Sequence, residues 1–411
     1  MKRWLCLLLV LFLLPADAMA DSPVDPVLVP IAPETLPQGQ YCHLGGSLIL
    51  VQTGGEDPLR IYDLDTGESI VVTPREEDLD LWVAPYVACW AAEGIILTDE
   101  EIEELAQSYG VGAFYNIFVF TYVARVISIG SEYAMLNEGL LLNRHTGVIT
   151  FIPKGLPANR LTPWDTFLST NEEHTACLQY DINGQLLNTA SFEDSEYQLW
   201  DIQPLKNGAV AILGLTDKEE EMTHCQCFLL DKELNVQQVI DLGEHHNRWL
   251  GIEAAHLHEE SGRLLLFTEG KAYKTRVKAK VDGKFRIREI PNGPYLNGLL
   301  LIDTEASEVH SLDELFFLSI TSFLASSDGS YVLLPDPDEA RLLNLDMETG
   351  LITEQMSTSE VNDTFKPSLD AWNERTEQSI RALIFDLSWD GGEYAVTPWM
   401  IFRVVERSCN P

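Results

Sequence analysis

The residues best suited to chemistry crowd into one stretch, 244–260, which reads EHHNRWLGIEAAHLHEE. It holds four of the nine histidines, His245, His246, His256 and His258, with Glu244, Glu259 and Glu260 beside them. Imidazole and carboxylate together are what a zinc enzyme uses, so a metal centre is the first chemistry to weigh. A second constellation is repeated. His174, Cys177 and Asp181 share the pattern H-x-x-C-x-x-x-D with His224, Cys227 and Asp231. Zinc needs four converging ligands, and strand neighbours in separate hairpins rarely supply them. Duplication of a structural unit, with side chains kept for packing, is the simpler account. Asp63-Leu-Asp65 and Asp336-Pro-Asp338-Glu339 offer oxygen ligands suited to calcium, yet neither completes an EF-hand or a nonapeptide repeat. No Gly-x-Ser-x-Gly, His-Glu-x-x-His, P-loop or dinucleotide fingerprint occurs. The expectation is a chain without a cofactor, calcium being the one candidate.

Compartment and composition narrow the field. Met1-Lys2-Arg3 precedes an apolar run from Trp4 to Leu14, then Pro15 and the small-residue pattern Ala18-Met19-Ala20. That order predicts a secretory signal peptide over residues 1–20, and an exported, soluble chain beginning near Asp21. A lipoprotein would need a cysteine where Asp21 stands, and no later apolar run is long enough to span a membrane. Removing Lys2, Arg3 and Asp17 leaves 25 basic and 63 acidic residues. Such a surface repels nucleic acid and anionic lipid, and favours solubility, cations or basic partners. With 45% of residues hydrophobic, the chain is nonetheless a folding one. Six cysteines remain, Cys42, Cys89, Cys177, Cys225, Cys227 and Cys409, an even count that permits disulfides. A chain this long buries a large core without them.

The elements that position these residues come from an internal repeat. RIYDLDTGESIVV, LLLNRHTGVITFI, CLQYDINGQLLNT, CFLLDKELNVQQV, LLLIDTEASEVHS and LLNLDMETGLITE each read as a strand, a marker, a turn and a second strand. The markers are Asp63, Asn143, Asp181, Asp231, Asp303 and Asp346. A marker's side chain can bond the backbone of its own turn, and a following Gly or Asn can take positive φ, so each copy is a β-hairpin. A second hairpin lies upstream of the markers, as in IQPLKNGAVAILGL and SFLASSDGSYVLLP, which makes four strands per unit. Marker spacings of 80, 38, 50, 72 and 43 residues set an unmodified unit of 38 to 50. Four strands at that period are the signature of β-propeller blades.

In architecture the chain resembles the WD40-like and quinoprotein-like propellers, over nearly all of 24–409. No Trp-Asp strand ending recurs at the repeat period and no quinone-binding set is recognisable, so the resemblance implies a fold and not an activity. The expected fold is all-β, a seven-bladed propeller, with six to eight blades compatible, forming one domain over 21–411. Six markers give six blades, and the tail ALIFDLSWDGGEYAVTPWMIFRVVER supplies three strands of a seventh. The lone apolar strand DPVLVPI, residues 25–31, is expected to complete that last blade and remove its unpaired edge. A Cys42–Cys409 disulfide would suit such a closure. Long gaps hold insertions. Thr98-Asp-Glu-Glu101 has capping-box spacing, predicting a helix over 98–109, and a second helix is expected from Ser368 to about Arg381.

A third insertion, 271–290, is basic. Lys271, Lys274, Arg276, Lys278, Lys280, Lys284, Arg286 and Arg288 are eight of the 25 cations left after processing. Val281-Asp282-Gly283-Lys284 predicts a hairpin turn, and Lys274, Arg276, Lys278 and Lys280 alternate with Thr275, Val277 and Ala279. One face is therefore expected to be cationic and the other largely small or apolar. Lys274, Arg276, Lys278, Lys280, Arg286 and Arg288 are the candidates for docking an anionic partner. The plainer alternative is an exposed ribbon whose lysines prevent edge pairing.

This scheme divides the histidines. WLGIEAAHLH becomes the innermost strand of the fifth blade, with His245, His246 and Arg248 in the loop before it and His258 at its exit turn. Ten residues of extended strand span roughly 33 Å. The four histidines therefore share no metal, and His256 with His258 would need a carboxylate from an adjacent blade. His245, His246, Arg248 and Trp249 fall on the loop-rich face where propellers bind ligands, with Trp200 and Asp201 at the corresponding place one blade earlier. These six are the ligand-binding candidates, an aromatic platform beside a cation and a carboxylate suiting glycan or peptide. The leading expectation is an exported, acidic, monomeric propeller that binds a glycan, peptide or protein, and is not an enzyme. The alternative is a secreted hydrolase or lyase acting on a glycan or peptide at the mouth of the central channel. No catalytic residue and no metal ligand is nominated.

Overall fold

Each marker residue closes its own turn. Asp63, Asn143, Asp181, Asp231, Asp303 and Asp346 all accept a hydrogen bond at Oδ1 from the backbone N–H two residues on, at 2.8 to 3.0 Å. The chain then needs one residue of positive φ to reverse. Gly67, Gly147 and Gly350 supply it four residues after their markers, with φ of 72°, 74° and 75°. The two copies without glycine use Leu234 at 64° and Ser307 at 55°, so Asn235 is not the residue that takes this role.

The computed structural model describes residues 25–407 apart from 32–34, 38, 54–58, 122–125, 154–155, 157–159, 194, 218, 282–283, 313–322, 337–340 and 377–386. The signal segment 1–20, Cys409 with its suggested bond to Cys42, the Asp282-Gly283 turn, and Asp338 with Glu339 lie outside the described residues. The strands form a seven-bladed β-propeller with consecutive strands adjacent in each blade. Blade one holds Gln40–Gly45, Leu48–Gln52, Arg60–Asp63 and Ser69–Val71. Blade two holds Val126–Ile129, Tyr133–Leu136, Leu140–Asn143 and Val148–Phe151, with the short Thr73–Pro74 parallel to its last strand. Blade three runs from Arg160 to Ser191 and blade four from Gln198 to His245. Blade five comprises Asn247–His258, Arg263–Ala272, Gly298–Asp303 and Glu308–Ser311, and blade six spans Leu324 to Met356. Blade seven takes Ser388–Trp389, Tyr394–Thr397 and Met400–Arg407, and its outer strand is Asp25–Pro30.

Period-two alternation puts apolar side chains on both faces of the blades, so the core lies between neighbouring sheets. Leu44, Leu50 and Ile61 of blade one meet Ala134, Leu142 and Ile149 of blade two. Val210, Ile212, Cys225 and Cys227 of blade four meet Leu250, Leu264 and Leu300 of blade five. Each such Leu or Ile contributes about 1.5–3 kcal/mol by leaving water. Connections between blades, and between second and third strands, all leave on one face, here called the top. The marker turns lie on the bottom.

The helices depart from expectation. Thr98 does form a capping box with Glu101, but the helix it starts runs Asp99–Thr121, well past the predicted end. A further helix, Leu79–Ala92, precedes it. The two pack closely where Gly110 lies on Leu79, and a Cβ at Gly110 would come within 2.8 Å of that side chain. The last helix is Thr358–Thr376, starting ten residues before Ser368. Its start is fixed by a capping box in which Ser357 N–H donates to Glu360, and Pro367 sits inside it. Phe365 of this helix packs on Phe402 of blade seven, with ring centroids 4.5 Å apart.

Candidate functional site on the top face

Asn247–His258 is the innermost strand of blade five and contains Arg248, His256 and His258, whereas His245 ends blade four and His246 is the link before the strand, so the two histidine pairs lie at opposite faces. At the bottom, His256 Nε2–H donates to Gly329 O at 3.0 Å. Ser261 Oγ donates to Met347 O, so His258 Nδ1–H donates to Ser261 Oγ, at 2.8 Å. Both rings lie against Gly329 of blade six, where a Cβ would come within 3.0 Å of His256 and 3.8 Å of His258. The carboxylate that blade six offers, Asp328, accepts bonds from Ser326 and Ser330 within its own turn. Among the described residues no group of three or more His, Cys, Asp and Glu side chains could hold a metal.

At the top, the ligand-binding candidates are drawn into packing and interblade bonds. Trp200 is buried, its indole against Gly214, where a Cβ would come within 2.2 Å of the ring. Asp201 accepts four hydrogen bonds, from Arg160 Nη1 and Nη2 at 3.0 and 3.1 Å and from the N–H groups of Ile202 and Ile252 at 2.9 and 2.8 Å. Arg160 also donates to the carbonyls of Ile202 and Ile252, so this pair ties blades three, four and five together. His245, the last residue of blade four, donates from Nε2 to Leu242 O at 2.7 Å. His246 alone links the blades, and its Nδ1–H donates to Glu221 O at 3.1 Å. Trp249 lies beneath Lys271, whose Nζ is 5.0 Å from the ring centroid, and Arg248 lies over Tyr273 at 5.8 Å. Arg248 is the exposed member of the predicted set, while Trp249, His245 and His246 are half-buried.

The basic insertion stands on His246. Tyr273 N–H donates to His246 O at 2.8 Å, and His246 N–H donates to Pro294 O at 3.0 Å. Lys271 and Ala272 belong to blade five, and the insertion proper is a separate two-stranded sheet, Lys274–Val281 with Lys284–Pro291. Its register corrects the expected division of faces. Arg276, Lys278 and Lys280 stand opposite Glu289, Ile287 and Phe285, while Arg288 and Arg286 stand opposite Val277 and Ala279. Residues directly opposite share a face, so cations occur on both. The first strand's alternation does not show this by itself, but the two-residue turn read at Asp282-Gly283 pairs Val281 with Lys284, and that register sets Arg286 against Ala279 and Arg288 against Val277. Arg276 Nε donates to Glu289 at 3.1 Å, and Ile287 is 74% exposed.

One arrangement was not foreseen. Tyr197, in the link from blade three to blade four, places its hydroxyl 2.5 Å from His224 Nδ1. His224 Nε2 lies 2.7 Å from Asp241 Oδ1. Since a carboxylate only accepts, Nε2 carries the proton and Nδ1 accepts from the phenol. His224 lies near the start of the third strand of blade four and Asp241 near the end of the fourth, both at the top. The H-x-x-C repeat had marked His224. Nothing in the sequence marked Tyr197 or Asp241, whose approach depends on a register shift between Cys225 and Gln226. In blade three the matching His174 sits in a turn at φ 57°, so the duplicate does not repeat the relay.

The repeated cysteines are structural. Cys177 and Cys227 are fully buried, and burial pushes the Cys227 thiol up to about 12. Of the calcium candidates, Asp63 serves its turn, Asp65 accepts the Tyr394 hydroxyl at 2.6 Å, and buried Asp336 pairs with Arg341 at 2.9 Å. Burial pushes the carboxyls of Asp63, Asp231 and Asp328 upward, but hydrogen bonds outweigh it and hold all three low, from within their own turns for Asp231 and Asp328, and from Ser47 as well as its own turn for Asp63. A general acid needs the opposite displacement.

No protein-family model matches the chain, and no curated protein matches it. Among solved structures it is similar to a Kuenenia stuttgartiensis hydrazine synthase, with TM-score 0.41 and 10% identity over 96% of this chain and 99% of that one. The β-propeller domain of Myceliophteria thermophila Cps50 (Swd1) gives TM-score 0.35 and 11% identity over 90% and 97% of the two chains. A chain of a mitotic checkpoint complex gives 0.42 and 10% over 96% and 94%. Likenesses this distant transfer neither activity nor partner.

Proposed function

We propose that this chain is an exported binding module whose top face captures an acidic segment of a protein partner. The observation that carries the reading is the ribbon 274–291, which among the described residues forms a two-stranded sheet of its own with cations at register positions on both faces. A strand pair added for stability would extend a blade. This one stands apart, in a chain of net charge −37. That charge also selects the partner. An extended polyanion touching the ribbon would be repelled by the acidic body around it, whereas a short acidic segment engages the ribbon alone. Exposed Ile287 between the cations supplies an apolar anchor, and the Arg248–Tyr273 and Lys271–Trp249 pairs continue the same charge at the ribbon's root. Among the described residues no helix is long and apolar enough to cross a membrane.

The test uses the full chain and a fluorescent oligoglutamate peptide of about ten residues. Anisotropy should rise on binding and weaken steeply as salt shortens the screening length to about 8 Å at 0.15 M. Replacing Lys274, Arg276, Lys278, Lys280, Arg286 and Arg288 by Ser should abolish the signal. Unchanged binding by that variant sinks the reading.

A further inference from the structure

We propose that Tyr197, His224 and Asp241 form a nucleophilic relay that accepts an acyl group from activated esters, an activity independent of the ribbon. The geometry is that of a nucleophile, its base and the group that orients the base. Tyr197 Oη lies 2.5 Å from His224 Nδ1, and His224 Nε2 lies 2.7 Å from Asp241 Oδ1. Both contacts fit a single neutral tautomer, so no rearrangement precedes proton transfer. Asp241 Oδ1 also accepts the N–H of Gly243 at 2.8 Å, which fixes the carboxylate. The Tyr197 ring leans on the imidazole at 55°, with centroids 5.8 Å apart, and packs against the buried cluster that includes Phe192 and Leu199. The apolar side of the phenol is thus held while His224, 30% exposed, keeps the site open to solvent. Burial first, and then the charges of Asp241, Cys225 and Glu196, keep the Tyr197 phenol above its ordinary value. It therefore rests protonated and needs the base it has.

The chemistry balances without a co-reactant other than water. Oη attacks the ester carbonyl carbon, its proton passes to Nδ1, and the carbon–oxygen bond to the leaving phenolate breaks with the electron pair going to that oxygen. The imidazolium, stabilised by Asp241, returns its proton to the departing phenolate. Water then attacks the acyl-tyrosine, with Nδ1 taking a water proton and returning it to the Tyr197 oxygen as the carboxylic acid leaves. Tyr197 and His224 are the catalytic residues, and Asp241 is a positioning residue.

The full chain treated with p-nitrophenyl acetate tests this. A burst of p-nitrophenolate should accompany one acetyl group on Tyr197, located by peptide mass spectrometry, with exposed Tyr109 and Tyr295 as internal controls. Tyr197→Phe should remove the burst, and His224→Gln should slow acetylation on the order of 100-fold. Asp241→Asn should slow it and change its pH profile, and Asp241→Glu should restore part of the rate. Circular dichroism must show each variant folded, and for any variant that is not, the Tyr197-to-Tyr109 labelling ratio of the parent chain decides. Equal labelling of the three tyrosines, or a pH profile untouched by Asp241→Asn, overturns the proposal.

Discussion

His43 and His256 are both held below the ordinary imidazole value of 6.5, in each case chiefly by burial. For His256 the bond to Gly329 and the charge of Asp328 oppose the shift, while His258 and Lys206 add to it. For His43, Asp390 and the bond to Gly46 oppose it and Arg144 adds to it. A depressed histidine binds its proton less readily folded than unfolded. Its contribution to stability is therefore complete above pH 6.5 and is lost as pH falls from there through the folded value. Acid also relieves the repulsion within a chain of charge −37, which acts the other way, so the informative quantity is a difference between two proteins. Gln at position 256 can still donate to Gly329 O but does not titrate. We expect the melting temperature of the parent chain to fall more steeply than that of His256→Gln between pH 6.5 and 5. Parallel curves would show that His256 is not among the groups that titrate on unfolding.

The marker hairpins were legible because their chemistry is local: an Asp or Asn, a turn, and a residue of positive φ within four positions. Blade five shows the rule by exception. Ser307 occupies the place held by Gly67, Gly147 and Gly350, and adopts the same left-handed conformation with a side chain that disfavours it. Relief of that strain should make Ser307→Gly more stable by about 1 kcal/mol, while Asp303→Ala, which removes the bonds to Glu305 and Ala306, should cost a similar amount. Opposite shifts in denaturant midpoint check the pair, and a destabilised Ser307→Gly would mean that the turn carries no strain. Other elements were hidden for physical reasons. Leu79–Ala92 is apolar on all sides and has Pro85 within it, so no helical stripe or clean boundary marks it. The ribbon was legible as a hairpin, and its faces follow once the second strand is read through the register that a two-residue turn imposes. The top-face candidates fall around the blade links, but His245 and Arg248 belong to the flanking strands and not to a loop, and Trp200 and Asp201 have partners of their own that only the fold reveals. Tyr197, His224 and Asp241 come from three segments, and no spacing rule joins them.

A propeller is a ring of sheets held chiefly by contacts between neighbours, so its stability depends on how the ring is shut. Here Asp25–Pro30 runs antiparallel to Met400–Arg407, from Asp25 opposite Arg407 to Pro30 opposite Phe402, and Ile31 N–H donates to Ile401 O at 2.9 Å. The same stretch leads directly into blade one, so the chain itself crosses the seam between first and last blades. Side chains add to the seam: Gly46 N–H donates to Asp390 at 2.7 Å, and the Tyr394 hydroxyl donates to Asp65 at 2.6 Å. Leu28 of the closing strand is buried, in one cluster with Leu333, Phe365 and Phe402. Truncating it leaves a cavity among blades six and seven and the last helix, and Leu28→Ala should cost about 2–5 kcal/mol. Deleting residues 25–30 goes further, because Met400–Arg407 then becomes an open edge carrying exposed Val405, a template for pairing with another chain. The deletion variant should melt well below Leu28→Ala and sediment as concentration-dependent aggregates, with both proteins compared at one ionic strength so that self-repulsion is constant. A deletion variant that stays monomeric and melts with the parent chain would show that the interblade contacts alone hold the ring.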